Sequence, residues 1–87
     1  MDYAESMLRA ISNPELRHIV RKSLDVREAD GPGALSTGEA LAAAVVLNRP
    51  EWLARMNYTL AEAFDRIGPE WWPLLREAER ILGDIPT

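Results

Sequence analysis

Hydrophobic positions recur along this chain at three- and four-residue intervals, the spacing that lines one face of an α-helix. Residues 2–12 place Ala4, Leu8 and Ile11 on one face, Tyr3 and Met7 at its edge, and Glu5 opposite Arg9 at i,i+4. A second helix opens at Asn13, a capping residue, with Pro14 at the first helical position and Glu15 in the positive first turn. Its apolar face holds Leu16, Ile19, Val20 and Leu24, with Ser23 among them. Arg17, His18, Arg21 and Lys22 take the opposite face, interrupted by Asp25. Asp30-Gly31-Pro32-Gly33 is a breaker, so 28–35 reads as a loop.

The pattern changes at Ser36. Ser36 and Glu39 form a capping box, in which each side chain meets an orphan amide at the helix start. Residues 40–47 are then all apolar, and the stretch stops at Asn48-Arg49-Pro50. A helix over about 37–48 with no polar face must be enclosed by its neighbours or by another chain. The segment 50–57 turns Trp52, Leu53 and Met56 inward. Thr59 and Glu62 make a second capping box, for a helix through Ile67 with Leu60, Ala63, Phe64 and Ile67 as its stripe. Gly68 ends that helix. Pro73 lacks an amide hydrogen and fits only a first turn, so the last helix spans about 72–82, with Trp71, Leu74, Leu75, Ala78 and Leu82 on one face. Gly83 is expected to close it and residues 84–87 to fray. Nothing alternates with period two for long enough to form a strand. The pattern predicts an all-α protein, a compact bundle of five to six short helices around a central apolar helix, in a single domain over residues 1–87.

Composition narrows the setting. Apolar residues at 47% and charged residues at 28% are ordinary for a globular chain. One small core gives modest stability, which surface buried against a partner would raise. The absence of cysteine removes disulfides, thiol catalysis and thiolate metal sites together. With no signal-peptide pattern at the N-terminus, a cytoplasmic location is expected. No apolar run approaches the ~20 residues that cross a bilayer, so no membrane is expected as a partner. Nine arginines against one lysine, with twelve alanines, suggest a high-GC bacterial source.

Charge is uneven. The net value is −4. Residues 1–27 hold five bases and four acids, whereas residues 28–87 hold five bases and ten acids. His18 is the single histidine, and no cysteine or serine-elbow motif accompanies it. Gly31-Pro32-Gly33 lacks the Lys-Ser/Thr of a phosphate loop, and no His or carboxylate pair has transition-metal spacing. No catalytic, cofactor-binding or metal-binding residue is assigned; the chain is expected to be no enzyme and to need no cofactor.

Binding is what remains. Trp71 and Trp72 lie about 100° apart on a helix and cannot both face one small core. Trp71 shares the Leu74/Leu75/Ala78 stripe, which leaves Trp72 at the core edge or outside it. Trp72, Trp52, Tyr58 and Tyr3 are therefore the candidate protein interface, for another protein or a second copy in a homodimer. The expected function is that of a small noncatalytic helical protein acting through protein–protein binding. A second reading is a small nucleic-acid-associated regulator using Arg17, Arg21 and Lys22, against which the acidic remainder weighs. A phage or mobile-element antagonist that blocks a larger machine is a variant of the first reading, and no residue selects it.

Overall fold

A computed structural model describes residues 2–86. It holds six helices: α1 (Tyr3–Ala10), α2 (Pro14–Val26), α3 (Thr37–Val46), α4 (Pro50–Arg55), α5 (Leu60–Ile67) and α6 (Trp72–Asp84). The chain is all-α, with no strand among the described residues. Asp2 and Asn13 accept backbone amides at the starts of α1 and α2, and both expected capping boxes form, Ser36 with Glu39 and Thr59 with Glu62. Pro14, Pro50 and Pro73 each fall in a first turn, where a missing amide hydrogen costs nothing.

The helix ends differ from the sequence reading in an instructive way. α3 and α4 stop at Val46 and Arg55, two residues short of the expected 48 and 57. Asn48 (φ 55°) and Asn57 (φ 64°) adopt the left-handed conformation. The same pair of hydrogen bonds forms at each: Arg49 N–H to the Ala44 carbonyl with Asn48 N–H to Val45, and Tyr58 N–H to Leu53 with Asn57 N–H to Ala54. These are Schellman closures, which consume the last free carbonyls of a helix. α1 likewise ends at Ala10 rather than 12, because Pro14 disfavours helical backbone at Asn13, which is extended at φ −76°, ψ 116°.

The C-terminus is the clearest correction. Gly83 does not close α6, which continues through Asp84, and Ile85 is only 4% exposed. The expected fraying of 84–86 gives way to a guanidinium clamp; residue 87 lies outside the described residues. Arg27 Nη1 donates to the carbonyls of Leu82 (3.1 Å) and Ile85 (2.7 Å), and Nη2 donates to Pro86 (2.8 Å). A cation thus sits at the negative end of the α6 dipole. Arg49 extends the chain of contacts: its Nη2 donates to the Arg27 carbonyl at 2.8 Å, and its guanidinium lies 5.2 Å from the Trp52 ring centre. The end of α2, the start of α4 and the end of α6 are joined through two arginines.

α2 packs on α3 and α6, α3 also meets α4, α5 and α6, and α1 lies on α2. Buried residues fall into two clusters. One joins Leu8, Ile11, Leu16, Ile19 and Val20 to Leu75, Ala78, Ile81, Leu82 and Ile85; the other joins Val26 to Trp52, Leu53 and Ala63. α3 divides itself between them, giving Ala42 and Val46 to the first and Leu41, Ala43 and Ala44 to the second. Its alanines let α2, α4, α5 and α6 approach it closely.

Among the described residues Ser23 is the one buried polar residue, 1% exposed, and its hydroxyl has no hydrogen-bond partner there. An unpaired buried hydroxyl costs about 1–3 kcal/mol, and alanine removes it with little change of shape. Ser23→Ala is expected to raise unfolding free energy by roughly 1 kcal/mol. Urea denaturation checks this, and a loss of stability would show that the hydroxyl is satisfied in solution.

Candidate protein-binding groove

The four aromatic residues singled out from the sequence do not gather. Trp52 is 1% exposed, packed in the second cluster beneath Arg49, and is withdrawn as an interface residue. Its inward turn follows from the helical register that also buries Leu53. Tyr58 is half-buried in the turn between α4 and α5, beside a shallow hollow lined by Ala54, Asn57, Thr59 and Glu62. Tyr3, 52% exposed, stands on α1. Trp71 is half-buried and donates its indole N–H to Glu15 at 3.1 Å. Trp72 alone is both exposed, at 45%, and set in an apolar depression.

That depression is one half of a longer groove. A hollow of about 230 Å³ is lined by Val45, Val46, Phe64, Trp72, Leu75, Arg76 and Glu79. A second, of about 270 Å³, is lined by Ala44, Val45, Asn48, Pro50, Leu53, Leu60 and Phe64. Val45 and Phe64 belong to both, so the two hollows lie side by side across the end of α3, between α4, α5 and α6. Among the described residues three large hydrophobic side chains are exposed, and two of them, Trp72 and Leu60 (58%), stand here. Another apolar hollow, between α1 and α6 along Met7, Ile11, Leu16 and Ile81, exposes no large hydrophobic side chain.

Leu60 corrects the reading of α5 as one buried stripe. Ala63 is fully buried against α3, and a residue three positions earlier lies about 60° round the helix, so the first turn overhangs the groove. Trp72 is held rigidly. Its indole N–H donates to the Phe64 carbonyl at 2.7 Å, the same carbonyl that accepts the Gly68 amide at the end of α5. Gly68 turns the chain there with φ 96°, a conformation that side chains oppose. The one polar group of the Trp72 side chain is thus engaged within the protein, and the rest of the indole is apolar.

The basic face of α2 is largely spent on the fold. Arg17 caps the end of α1, donating Nε and Nη2 to the Ile11 carbonyl at 3.1 and 2.7 Å. Arg21 pairs with Glu5 at 3.2 Å, while Lys22 is half-buried. The three do not form a free cationic patch, since a pairing acid cancels one charge and a carbonyl occupies another.

His18 does have an oriented partner, Glu39 on α3, at 2.7 Å, with the Trp71 ring 6.0 Å away. Glu39 Oε1 accepts the Ser36 amide at 3.0 Å, while Oε2 faces the imidazole. The Ser36 hydroxyl accepts the Glu39 amide, so the three residues knit α2 to the start of α3 and make no nucleophile–base pair. The Ser36 backbone amide, and after it His18, hold the Glu39 carboxyl below the ordinary glutamate range. A lowered folded-state value means that this contribution is present above pH 4.5 and is lost as pH falls through the folded value. Gln can keep the amide bond without the charge. The stability gap between wild type and Glu39→Gln should therefore narrow as pH falls below 4.5, measured by denaturation across that limb; a gap unchanged to strong acid would refute the assignment. Among the described residues no cluster of His, Cys, Asp or Glu could hold a metal ion, and no helix is long and apolar enough to cross a membrane. The chain matches no protein-family model, no curated protein and no solved structure.

Proposed function

We propose that this chain is a noncatalytic binding module that captures another protein in the groove of Val45, Leu60, Phe64 and Trp72. Total exposure does not carry this reading, because 5242 Å² of surface matches the ~5,200 Å² expected for a 9.8 kDa monomer. The single observation that carries it is Trp72: exposed, apolar, and fixed by its bond to the Phe64 carbonyl. A side chain tied by a hydrogen bond has less rotamer freedom to lose on binding, and tryptophan is enriched at binding hot spots. Leu60 and Val45 continue the apolar surface, so a partner buries a strip instead of a point.

Selection from a random display library of helical peptides, with Leu60→Glu protein as the counter-target, tests the reading. Leu60 is exposed, so the substitution leaves the fold intact. Binders that need Leu60 support the groove. If every enriched peptide binds the variant equally well, the groove is not the binding surface.

A further inference from the structure

The loop between α2 and α3 carries Asp30-Gly31-Pro32-Gly33. An aspartate or asparagine side chain can be attacked by the backbone nitrogen of the next residue, and glycine there leaves that nitrogen uncrowded. The other aspartates and asparagines of this chain are held away from the reaction. Asn13 precedes Pro14, which has no amide hydrogen. The amides after Asn48, Asn57 and Asp84 donate to the carbonyls of Ala44, Leu53 and Leu82. Asp25 and Asp65 lie inside helices, where the next amide belongs to the backbone ladder. Asp2 gives its carboxylate to the Ala4 amide at 3.0 Å. At Asp30 both reacting groups are free. Among the described residues, neither its exposed carboxylate nor the Gly31 amide has a hydrogen bond or ion pair.

We propose that the Asp30–Gly31 linkage is a site of spontaneous isoaspartate formation, promoted by Arg55 of α4. The Gly31 nitrogen gives up its proton and bonds to the carboxyl carbon of protonated Asp30, and one carboxyl oxygen leaves as water, closing a succinimide. Water then adds to the Asp30 main-chain carbonyl carbon. The bond from that carbon to the Gly31 nitrogen breaks, and the nitrogen takes up a proton and stays joined through the side chain. One water is lost and one regained, so the product is an isomer. Arg55 touches the atom on which both steps place charge, because its Nη2 donates to the Asp30 main-chain carbonyl. Loss of the Gly31 proton spreads negative charge onto that oxygen through amide resonance, and a guanidinium there stabilises it. The same contact polarises the carbonyl for attack by water in the second step. In the product that oxygen belongs to a free carboxylate, so Arg55 faces a charged acceptor in place of a neutral one. The fold gives up no backbone hydrogen bond of Gly31 in exchange, since its amide makes none among the described residues.

Incubation of the folded protein at neutral pH for weeks, followed by peptide mapping, provides the test. An aspartate-specific endopeptidase cuts before Asp30 but not before isoaspartate, and mass spectrometry of the resistant peptide detects the dehydrated succinimide. Wild type is expected to accumulate isoaspartate at position 30 ahead of every other aspartate and asparagine. Gly31→Ala should slow the reaction at least about ten-fold. A Cβ at Gly31 meets only the Arg55 guanidinium, at an ordinary contact distance of 3.7 Å, so this variant keeps the fold. Arg55→Gln keeps a donor without the charge. It should slow the reaction severalfold and lower the share of isoaspartate among the products. Circular dichroism at the start and end of incubation shows that the reacting protein is folded. An intact Asp30 after weeks, or modification that appears first at another residue, would overturn the proposal. A faster reaction in Arg55→Gln would show that Arg55 holds the loop against ring closure, and would overturn its assigned part.

Discussion

Arg27→Ala is expected to lower unfolding free energy by about 2–4 kcal/mol, although no apolar contact is its main business. Its guanidinium fixes three carbonyls at the end of α6, those of Leu82, Ile85 and Pro86. Removing it leaves those acceptors at the negative end of a helix dipole with nothing to meet them, and frees Ile85 from the core. For a chain of 87 residues, 2–4 kcal/mol corresponds to a fall in melting temperature of more than about 10 °C. Lysine keeps the charge but cannot span three acceptors with a planar fork, so Arg27→Lys should recover only part of the loss. Thermal denaturation of the two variants separates charge from geometry. A change under about 1 kcal/mol in Arg27→Ala would mean that water replaces the clamp without cost.

Trp52→Ala should cost still more, about 3–5 kcal/mol, the usual cost of truncating a buried tryptophan. The residue is among the largest fully buried side chains and joins Leu41, Ala43, Ala44, Leu53 and Ala63 on the α3/α4/α5 side of the core. Total stability for a domain of this length is only on the order of 4–13 kcal/mol, so a large share is at stake. Trp52→Phe keeps most of the apolar volume and should retain the fold at reduced stability. Circular dichroism during urea titration checks both. A Trp52→Ala protein as stable as wild type would contradict the assignment of Trp52 to the core, and would return it to the surface.

The sequence made the helix starts legible because starts depend on local chemistry. Ser36 with Glu39, Thr59 with Glu62, and Asn13 with Pro14 all behave as their side chains dictate. Ends were harder. Asn48 and Asn57 each end a helix by adopting positive φ, and an asparagine two residues earlier or later would look equally plausible from sequence. The docking of Ile85 depends on Arg27, more than fifty residues away, and no periodicity records such a contact. The separation of Trp71 from Trp72 was readable from a 100° step, but the direction each took was not. Trp72 points to α5 because the Phe64 carbonyl awaits its N–H. Leu60, Phe64 and Val45 stand on apolar faces, and periodicity alone does not separate a core position from a groove wall. The available signal is that α3 has no polar side at all, so any face its neighbours leave uncovered is apolar. Arg17 and Arg21 show the opposite error: cations that line up on a wheel are not free when a carbonyl and a carboxylate already hold them.

On the proposed groove reading, binding runs through Leu60 and Trp72, and not through Tyr3 or the α2 face. Affinity of a display-selected peptide for a panel of single variants measures this most directly. Leu60→Glu and Trp72→Ala should each weaken binding by more than ten-fold, about 1.4 kcal/mol or more, while Tyr3→Ala and Lys22→Ala leave it unchanged. Binding that ignores Leu60 and Trp72 but is lost with Tyr3 or Lys22 would contradict the account.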